Sequence, residues 1–420
     1  MNSQPATGAS CACRLTATKR LLGEEVNMSS AVIVGGAALW RLTKRPSPNP
    51  TTSPHQSIQP AIAASTLPVM ARPSPLQATI WAFTGSISLY LGFISLLTVP
   101  FFQNQVIYLN SVTLTWFQDV TIPEQWGFLH NQVTPFTLKT RDGETLHAWH
   151  ILPVGLYQKY EKQLLAEPSG IVPDIAQSLG FQLLRDDPEA LLVLYFHGAA
   201  GTLGSGWRPP SYRAMHAASP NKIHTVAIDY RGYGSSTGST SEEGLLIDAI
   251  TLAEWAMKEA NIPPSRIVIF GQSLGTAVSI SLTQYMAAKD GPTLFSGMVL
   301  VAPKDKLADF INRVEALPGD DSRYHITIIH AEDDYDIPWS HSEKIFWHAI
   351  NATTAEGISY DDLENEKEEA RLRLGAGGWL VNRVTKKGSI REQIVKHGLH
   401  DKIMSYPVVS LAILRAFQRT

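Results

Sequence analysis

The chain has 420 residues, of which 44% are hydrophobic, with 35 Lys and Arg against 38 Asp and Glu, a formal charge of −3 and two cysteines. Such a length accommodates one large domain of about 250–300 residues plus an appendage, and the near balance of charge provides no basic field for a phosphate backbone, which argues against nucleic acid as a partner. Cys11 and Cys13 stand too close together for a disulfide framework or a complete metal site, and the cysteine-free remainder excludes a thiol nucleophile from the folded part.

Residues 1–77 are rich in Ser, Thr, Pro and Ala, with few aromatics and no sustained period, which predicts a disordered tail. An apolar patch at 31–40 inside it is too short to cross a bilayer. Residues 78–102, ATIWAFTGSISLYLGFISLLTVPFF, carry no charge and have the length of a transmembrane helix. Arg14, Lys19, Arg20, Arg41, Lys44, Arg45 and Arg72 precede this span, and no Lys or Arg follows it before Lys139, a bias that favours a cytosolic N-terminus and a lumenal remainder. Asn351-Ala352-Thr353 is a candidate glycosylation acceptor on that side. Residues 103–133 read as a connecting segment.

From 134 to 420 the texture is that of one α/β domain: short β-rich runs alternate with helical patterns, as in a parallel sheet with crossover helices. Phe136–Lys139 and Thr145–Leu152 flank Arg141-Asp142-Gly143, a hairpin signal. Leu191–Phe196, Ile223–Ile228, Ile267–Phe270, Met298–Ala302, Ile326–His330 and Ile390–Val395 follow, so the expected sheet has eight strands, mostly parallel, with flanking helices.

Three segments at the ends of those runs carry candidate chemistry. Ile267 to Ala277 passes from an apolar strand through Gly271-Gln272-Ser273-Leu274-Gly275 into a small-residue helix, the pattern of a tight strand-to-helix turn that projects a serine hydroxyl as nucleophile. Such a hydroxyl needs a base, and the base needs an orienting carboxylate. The loop Glu332-Asp333-Asp334-Tyr335-Asp336-Ile337-Pro338 follows a later strand. Asp334, four before the proline, is the preferred acid and Asp333 the alternative. After the last strand, His397-Gly398-Leu399-His400-Asp401 offers His400, at the loop apex, as base in preference to His397. An oxyanion would be met by backbone amides: that of Leu274 at the helix N-terminus, and that of Ala199, or else Ala200, in the loop after the third strand. Arg231 and Asp229 are expected to brace loops beneath the site. The sequence implies no cofactor and no metal.

FHGAAGT, DYRGYGSSTG, FGQSLGTA, HAEDDYDIP and the late GLHD together resemble the membrane-bound monoacylglycerol and lysophosphatidylserine lipases of the α/β-hydrolase superfamily, and more loosely the Bem46-like hydrolases. The resemblance covers Phe136 onward. It implies an α/β-hydrolase fold, a serine hydrolase acting on lipid esters, a triad of Ser273, Asp334 and His400, a single N-terminal membrane helix, and an endoplasmic reticulum location with a lumenal active site. In one respect the sequence departs from the family. Relatives carry a substantial cap between the sixth strand and the acid loop, whereas only 304–324 is present here, which puts acyl-length preference and activity in question. The charged stretch Tyr360–Arg373 is expected as a solvated helix rather than a replacement lid. The leading expectation is hydrolysis of a monoacylglycerol or lysophospholipid through an acyl-enzyme. Its alternatives are a protein-acyl thioesterase, a small-ester esterase, or an inactive membrane-tethered binding module.

Overall fold

A computed structural model of the protein describes residues 73–303, 307–319, 324–354, 356–375 and 377–418. Most of the expected tail, with Cys11, Cys13 and the patch at 31–40, lies outside them. The first element, α1, runs Pro75–Leu96; Ser74 caps it through the amide of Gln77, the Gln77 side chain answers on the Ser74 amide, and Pro75 starts the first turn. Its 22 residues, none of them buried, extend about 33 Å. Length and composition thus suffice to cross a hydrocarbon core. The helix stops short of the expected boundary at 102, because the ring of Pro100 cannot continue it. Pro100 instead opens α2, Pro100–Tyr108, so Phe101 and Phe102 belong to a second helix.

Beyond α2 the chain alternates strands and helices. In order they are β1 (Val133–Lys139), β2 (Thr145–Ile151), α3 (Val154–Leu164), α4 (Leu179–Arg185), β3 (Leu191–Phe196), α5 (Arg208–His216), β4 (Ile223–Ile228), α6 (Glu242–Lys258), β5 (Ile267–Gln272), α7 (Leu274–Ala287) and β6 (Gly297–Val301). There follow α8 (Ala308–Glu315), β7 (Tyr324–Ala331), α9 (Ser340–Asn351), α10 (Tyr360–Ala370), β8 (Leu372–Arg373), β9 (Trp379–Val384), β10 (Gly388–Val395) and α11 (Pro407–Phe417).

The strands form one sheet in the order β1-β2-β4-β3-β5-β6-β7-β10-β9-β8. Its centre, from β4 to β10, is parallel, and antiparallel pairs close both edges. Alternate residues of each central strand enter opposite cores, as the period of two requires. Leu192, Leu194, Phe196, Ile267 and Ile269 pack on the α6–α7 side. Val193, Tyr195, Val268 and Phe270 pack with Tyr212 of α5 and Val409 and Ile413 of α11 on the other. From β3 the chain moves to β4 on one side and then to β5 on the other. Ligand crevices form at such a reversal, outside the carboxyl ends of the strands.

Among the described residues the sheet has ten strands where the sequence led us to expect eight. The addition is the β8–β9 pair, which is short and edge-placed, with only Trp379 and Val381 of β9 buried, so it lacks the continuous apolar run by which the central strands announce themselves. In the connection between β6 and β7, α8 packs Phe310, Ile311 and Val314 inward beside α7 and α9; residues 304–306 and 320–323 are outside the described set. The charged stretch does form a helix, α10, but not a purely solvated one. Lys367 is 1% exposed, with its ammonium 3.1 Å from Glu392, 2.7 Å from Glu364 and 3.5 Å from Glu343, and it lies over the rings of Phe346 and Trp379.

Candidate active site

β5 and α7 meet at Ser273, whose backbone sits at φ 51° and ψ −117°. For a side-chain-bearing residue such a conformation costs about 1–3 kcal/mol and persists only where its surroundings enforce it. Here the Ser273 amide donates to the Val301 carbonyl at 3.0 Å, and the Ser273 carbonyl accepts from both the amide and the hydroxyl of Thr276. The flanking glycines are sterically required: a Cβ on Gly275 would collide with the Phe196 carbonyl, and one on Gly271 with the Gly275 carbonyl. The close approach of α7 to β3 and β5 that raises the serine above the sheet is therefore possible only without side chains at these two positions.

The candidate acid and base come from neighbouring loops, after β7 and β10, which pair in parallel. His400 Nδ1 donates to Asp334 Oδ2 at 2.8 Å, and both side chains are largely shielded, at 14% and 0% exposure. Asp334 Oδ1 accepts from the amides of Asp336 and Ile337, each at 2.9 Å. Its Oδ2 also accepts from His330 Nε2 at 2.9 Å, and His330 is oriented in turn by Ser342 at 2.6 Å. Burial alone would raise the Asp334 pKa, but the hydrogen bonds from His330 and His400 outweigh it and hold the carboxyl well below its usual range. His400 shows the reverse balance: burial opposes protonation, yet the hydrogen bond and charge of Asp334 raise its pKa above the ordinary imidazole value.

Asp333, the alternative acid, is engaged elsewhere. Its Oδ1 accepts from the amides of Gly398 and Leu399, both at 2.8 Å, and its Oδ2 lies 3.2 Å from His397. It thus ties down the loop that presents His400, and His397 is its partner. Gln272 fastens the same loop from the other side, its amide nitrogen reaching the His400 carbonyl at 3.3 Å and Asp401 Oδ1 at 2.9 Å. The residue before the serine therefore holds the segment carrying the histidine. Neither His330 nor Gln272 was singled out from sequence. Gln272 is an unconstrained letter of the G-x-S-x-G pattern, and His330 carries no local signal, although each stands beside a motif that was read.

The loop after β3 is shaped by a residue the sequence did not mark. The Arg208 guanidinium at the start of α5 donates to the carbonyls of Gly198, Ala199, Ala200 and Thr202, at 3.0, 3.3, 2.7 and 2.6 Å. Turning these carbonyls toward one cation leaves the amides to face elsewhere. The Ala200 amide donates to the Tyr108 carbonyl at 3.0 Å and is thereby spent. The Ala199 amide has no partner among the described residues, and that of Leu274, as the first in its helix, has none inside the helix. Among the described residues these are the two amides expected from the sequence to meet an oxyanion, and that of Ala200, the alternative, is already bonded. Beneath them Arg231 joins Asp142 at 2.7 Å and Asp248 at 2.8 Å, while Asp229 accepts from the Leu203 amide at 2.9 Å and is pushed by burial up to about 7. Asp229 thus braces the loop after β3, as expected, whereas Arg231 ties the β1–β2 turn to α6.

A concavity of about 270 Å³ opens on the histidine side, lined by Trp207, Tyr335, Asp336, Leu399, His400, Asp401 and Lys402. Asp334, Asp336 and His400 also bring potential metal-binding atoms within 4.8 Å of one another, but both oxygens of Asp334 are already committed to hydrogen bonds. The cluster is better suited to orienting an imidazole than to holding an ion.

Comparison with known proteins bears on this arrangement. The family described as "Alpha/beta hydrolase family" matches residues 191–388. The chain is 27% identical over 284 residues to the lysophosphatidylserine lipase ABHD12 of Danio rerio, covering 61% of this chain and 69% of that protein. With the same lipase from Xenopus tropicalis it shares 26% over 275 residues, or 59% of this chain and 65% of the relative. With protein bem46 of Schizosaccharomyces pombe it shares 29% over 202 residues, or 48% and 55%. The matches thus span 55% to 69% of these relatives' lengths.

Proposed function

We propose that the chain, whose residues 191–388 match the α/β-hydrolase family, is a membrane-associated serine hydrolase that cleaves the carboxylic ester of a single-chain lipid, a monoacylglycerol or lysophospholipid, with Ser273, Asp334 and His400 as its triad. The observation that carries the reading is the buried Asp334–His400 pair, 2.8 Å apart, on a loop fastened by the residue that precedes the strained serine. Relatives named lysophosphatidylserine lipases support a lipid ester as substrate.

In this mechanism His400 takes the proton from Ser273 as its oxygen attacks the ester carbonyl. The negative charge passes to the carbonyl oxygen, where the Leu274 and Ala199 amides meet it, aided by the positive end of the α7 dipole. The resulting imidazolium, stabilised by Asp334, gives its proton to the leaving alkoxide and leaves an acyl-serine. Water then repeats the cycle and releases the fatty acid. The apolar helix α1 holds the site at a bilayer. The charge bias before it, together with the family resemblance, supports a lumenal site in the endoplasmic reticulum, which protease protection of the domain in intact microsomes would test.

The decisive experiment is labelling of the membrane-expressed protein with a fluorophosphonate, wild type against Ser273→Ala. We expect labelling and hydrolysis of monoacylglycerol in wild type and loss of both in the variant. A folded wild type that takes no label would sink the enzyme reading and leave a membrane-tethered binding module.

A further inference from the structure

Resting on the hydrolase reading, we propose that the substrate's acyl chain is held in a groove between α2, α6 and α7, so that the juxtamembrane helix supplies the acyl site that a cap would otherwise build. The reaction sets a direction. His400 must face the leaving alkoxide in order to protonate it, so the alcohol half of the ester points into the concavity beside it, whose mixed lining includes Trp207, Asp336, Leu399 and Lys402. The acyl half then points away from His400.

A second groove, of about 300 Å³, begins at Leu274 and shares no lining residue with the first; its walls are mainly apolar, from Ile107, Leu245, Leu246 and Val278, with Ser281 and the carboxylate-bearing Glu242 also on its lining. Volumes of this order suit small apolar ligands. On α7, Leu274, Val278 and Ser281 are spaced four and then three residues apart and so form one stripe, about 10 Å long, that starts beside the nucleophile. Leu245 and Leu246 from the first turn of α6 make a second wall, and the end of α2 makes the third.

That third wall is fixed in place. Asn104 donates to the Thr240 carbonyl at 3.1 Å, and the Tyr108 carbonyl accepts from the Tyr233 hydroxyl at 2.6 Å and from the Ala200 amide at 3.0 Å. The end of α2 therefore frames the groove and also holds the loop that offers the Ala199 amide. Two residues separate α2 from the C-cap of α1, and α2 exposes Phe101, Phe102, Val106 and Ile107. An apolar path thus leads from the membrane-crossing helix to the serine, and a single acyl chain is the occupant whose chemistry matches both of its ends.

The test uses full-length protein in mixed micelles and compares kcat/KM for p-nitrophenyl palmitate and butyrate. Ser281→Phe fills the groove from α7, and Ile107→Trp fills it from α2 at a half-exposed position where folding is not at stake. Each is expected to lower the palmitate-to-butyrate ratio by about tenfold or more, whereas Val384→Trp, on the exposed edge of β9, leaves the ratio as in wild type. An unchanged ratio in both groove variants, with fluorophosphonate labelling retained, overturns the proposal. A long-chain alkyl fluorophosphonate bearing a terminal diazirine provides a measurement independent of the variants: crosslinks to the peptides of α2 or α6 support the groove, and crosslinks confined to α8 overturn it. A wild type that neither takes the probe nor cleaves either ester fails the hydrolase reading, and the groove falls with it. That result differs from an unchanged ratio in a working enzyme.

Discussion

Asp334 collects four hydrogen bonds, from two imidazoles and two backbone amides, and so remains ionised while buried. Its charge raises the pKa of His400, and the sign of the effect on activity follows directly. The base must be neutral to accept the serine proton, so activity is lost as pH falls through the raised value, and the acid limb of kcat/KM should lie above the ordinary imidazole pKa of about 6.5. Asp334→Asn is expected to move that limb downward and to lower kcat by about 10⁴-fold, as in other enzymes whose triad carboxylate is neutralised. Asp333→Asn retains the Asp334–His400 pair and should cost far less. A pH–rate profile of the two variants distinguishes them, and equal losses would mean that the acid has been misassigned. Distinguishing two adjacent aspartates required their partners, because in sequence they differ only in phase relative to Pro338.

α10 shows how an element that looks polar can be fixed by burial. Of its eleven residues only Leu363 and Lys367 are buried, and Lys367 joins three carboxylates across α9, α10 and β10. Removing one partner of such a cluster strands the others, at a typical cost of about 3–5 kcal/mol. Lys367→Ala should therefore destabilise the domain strongly at pH 8. Burial pushes Glu392 up to about 7, even with Lys367 opposing the shift. A carboxyl whose folded pKa is raised contributes stability below its unfolded value of about 4.3 and loses it as pH rises through the folded value. In the variant, protonation of Glu392 should accordingly recover part of the lost stability at pH 5. Denaturant midpoints at the two pH values check this, and a penalty independent of pH would show that Glu392 does not report on the lysine. A helix anchored in this way is a poor candidate for a lid.

For the molecule as a whole, α1 buries no residue against the domain, so its apolar surface needs another solvent, and deletion of 75–96 is expected to turn a carbonate-resistant membrane protein into an extractable one. Retention of the shortened chain in the carbonate pellet would assign the anchoring to other surfaces, with the exposed aromatics of α2 first among them. The sequence by itself determined the central strands, because their β-branched and apolar runs are buried on both faces; the serine turn, because its two glycines leave room that no other residue would; and the apolar span, because its twenty-odd uncharged residues match the thickness of a bilayer. Periodicity and local sterics are properties of neighbouring residues and can be read along the chain. Only the tertiary structure decided that Asp333 serves the His400 loop while Asp334 serves the imidazole, that Arg208 gathers four carbonyls, that Lys367 is buried, and that the Tyr108 carbonyl at the end of α2 accepts from Tyr233 and Ala200. Each of these depends on groups that lie far apart in sequence and meet only once the sheet has assembled. Which hydrogen bonds a buried polar group makes is settled by that meeting and not by its neighbours along the chain.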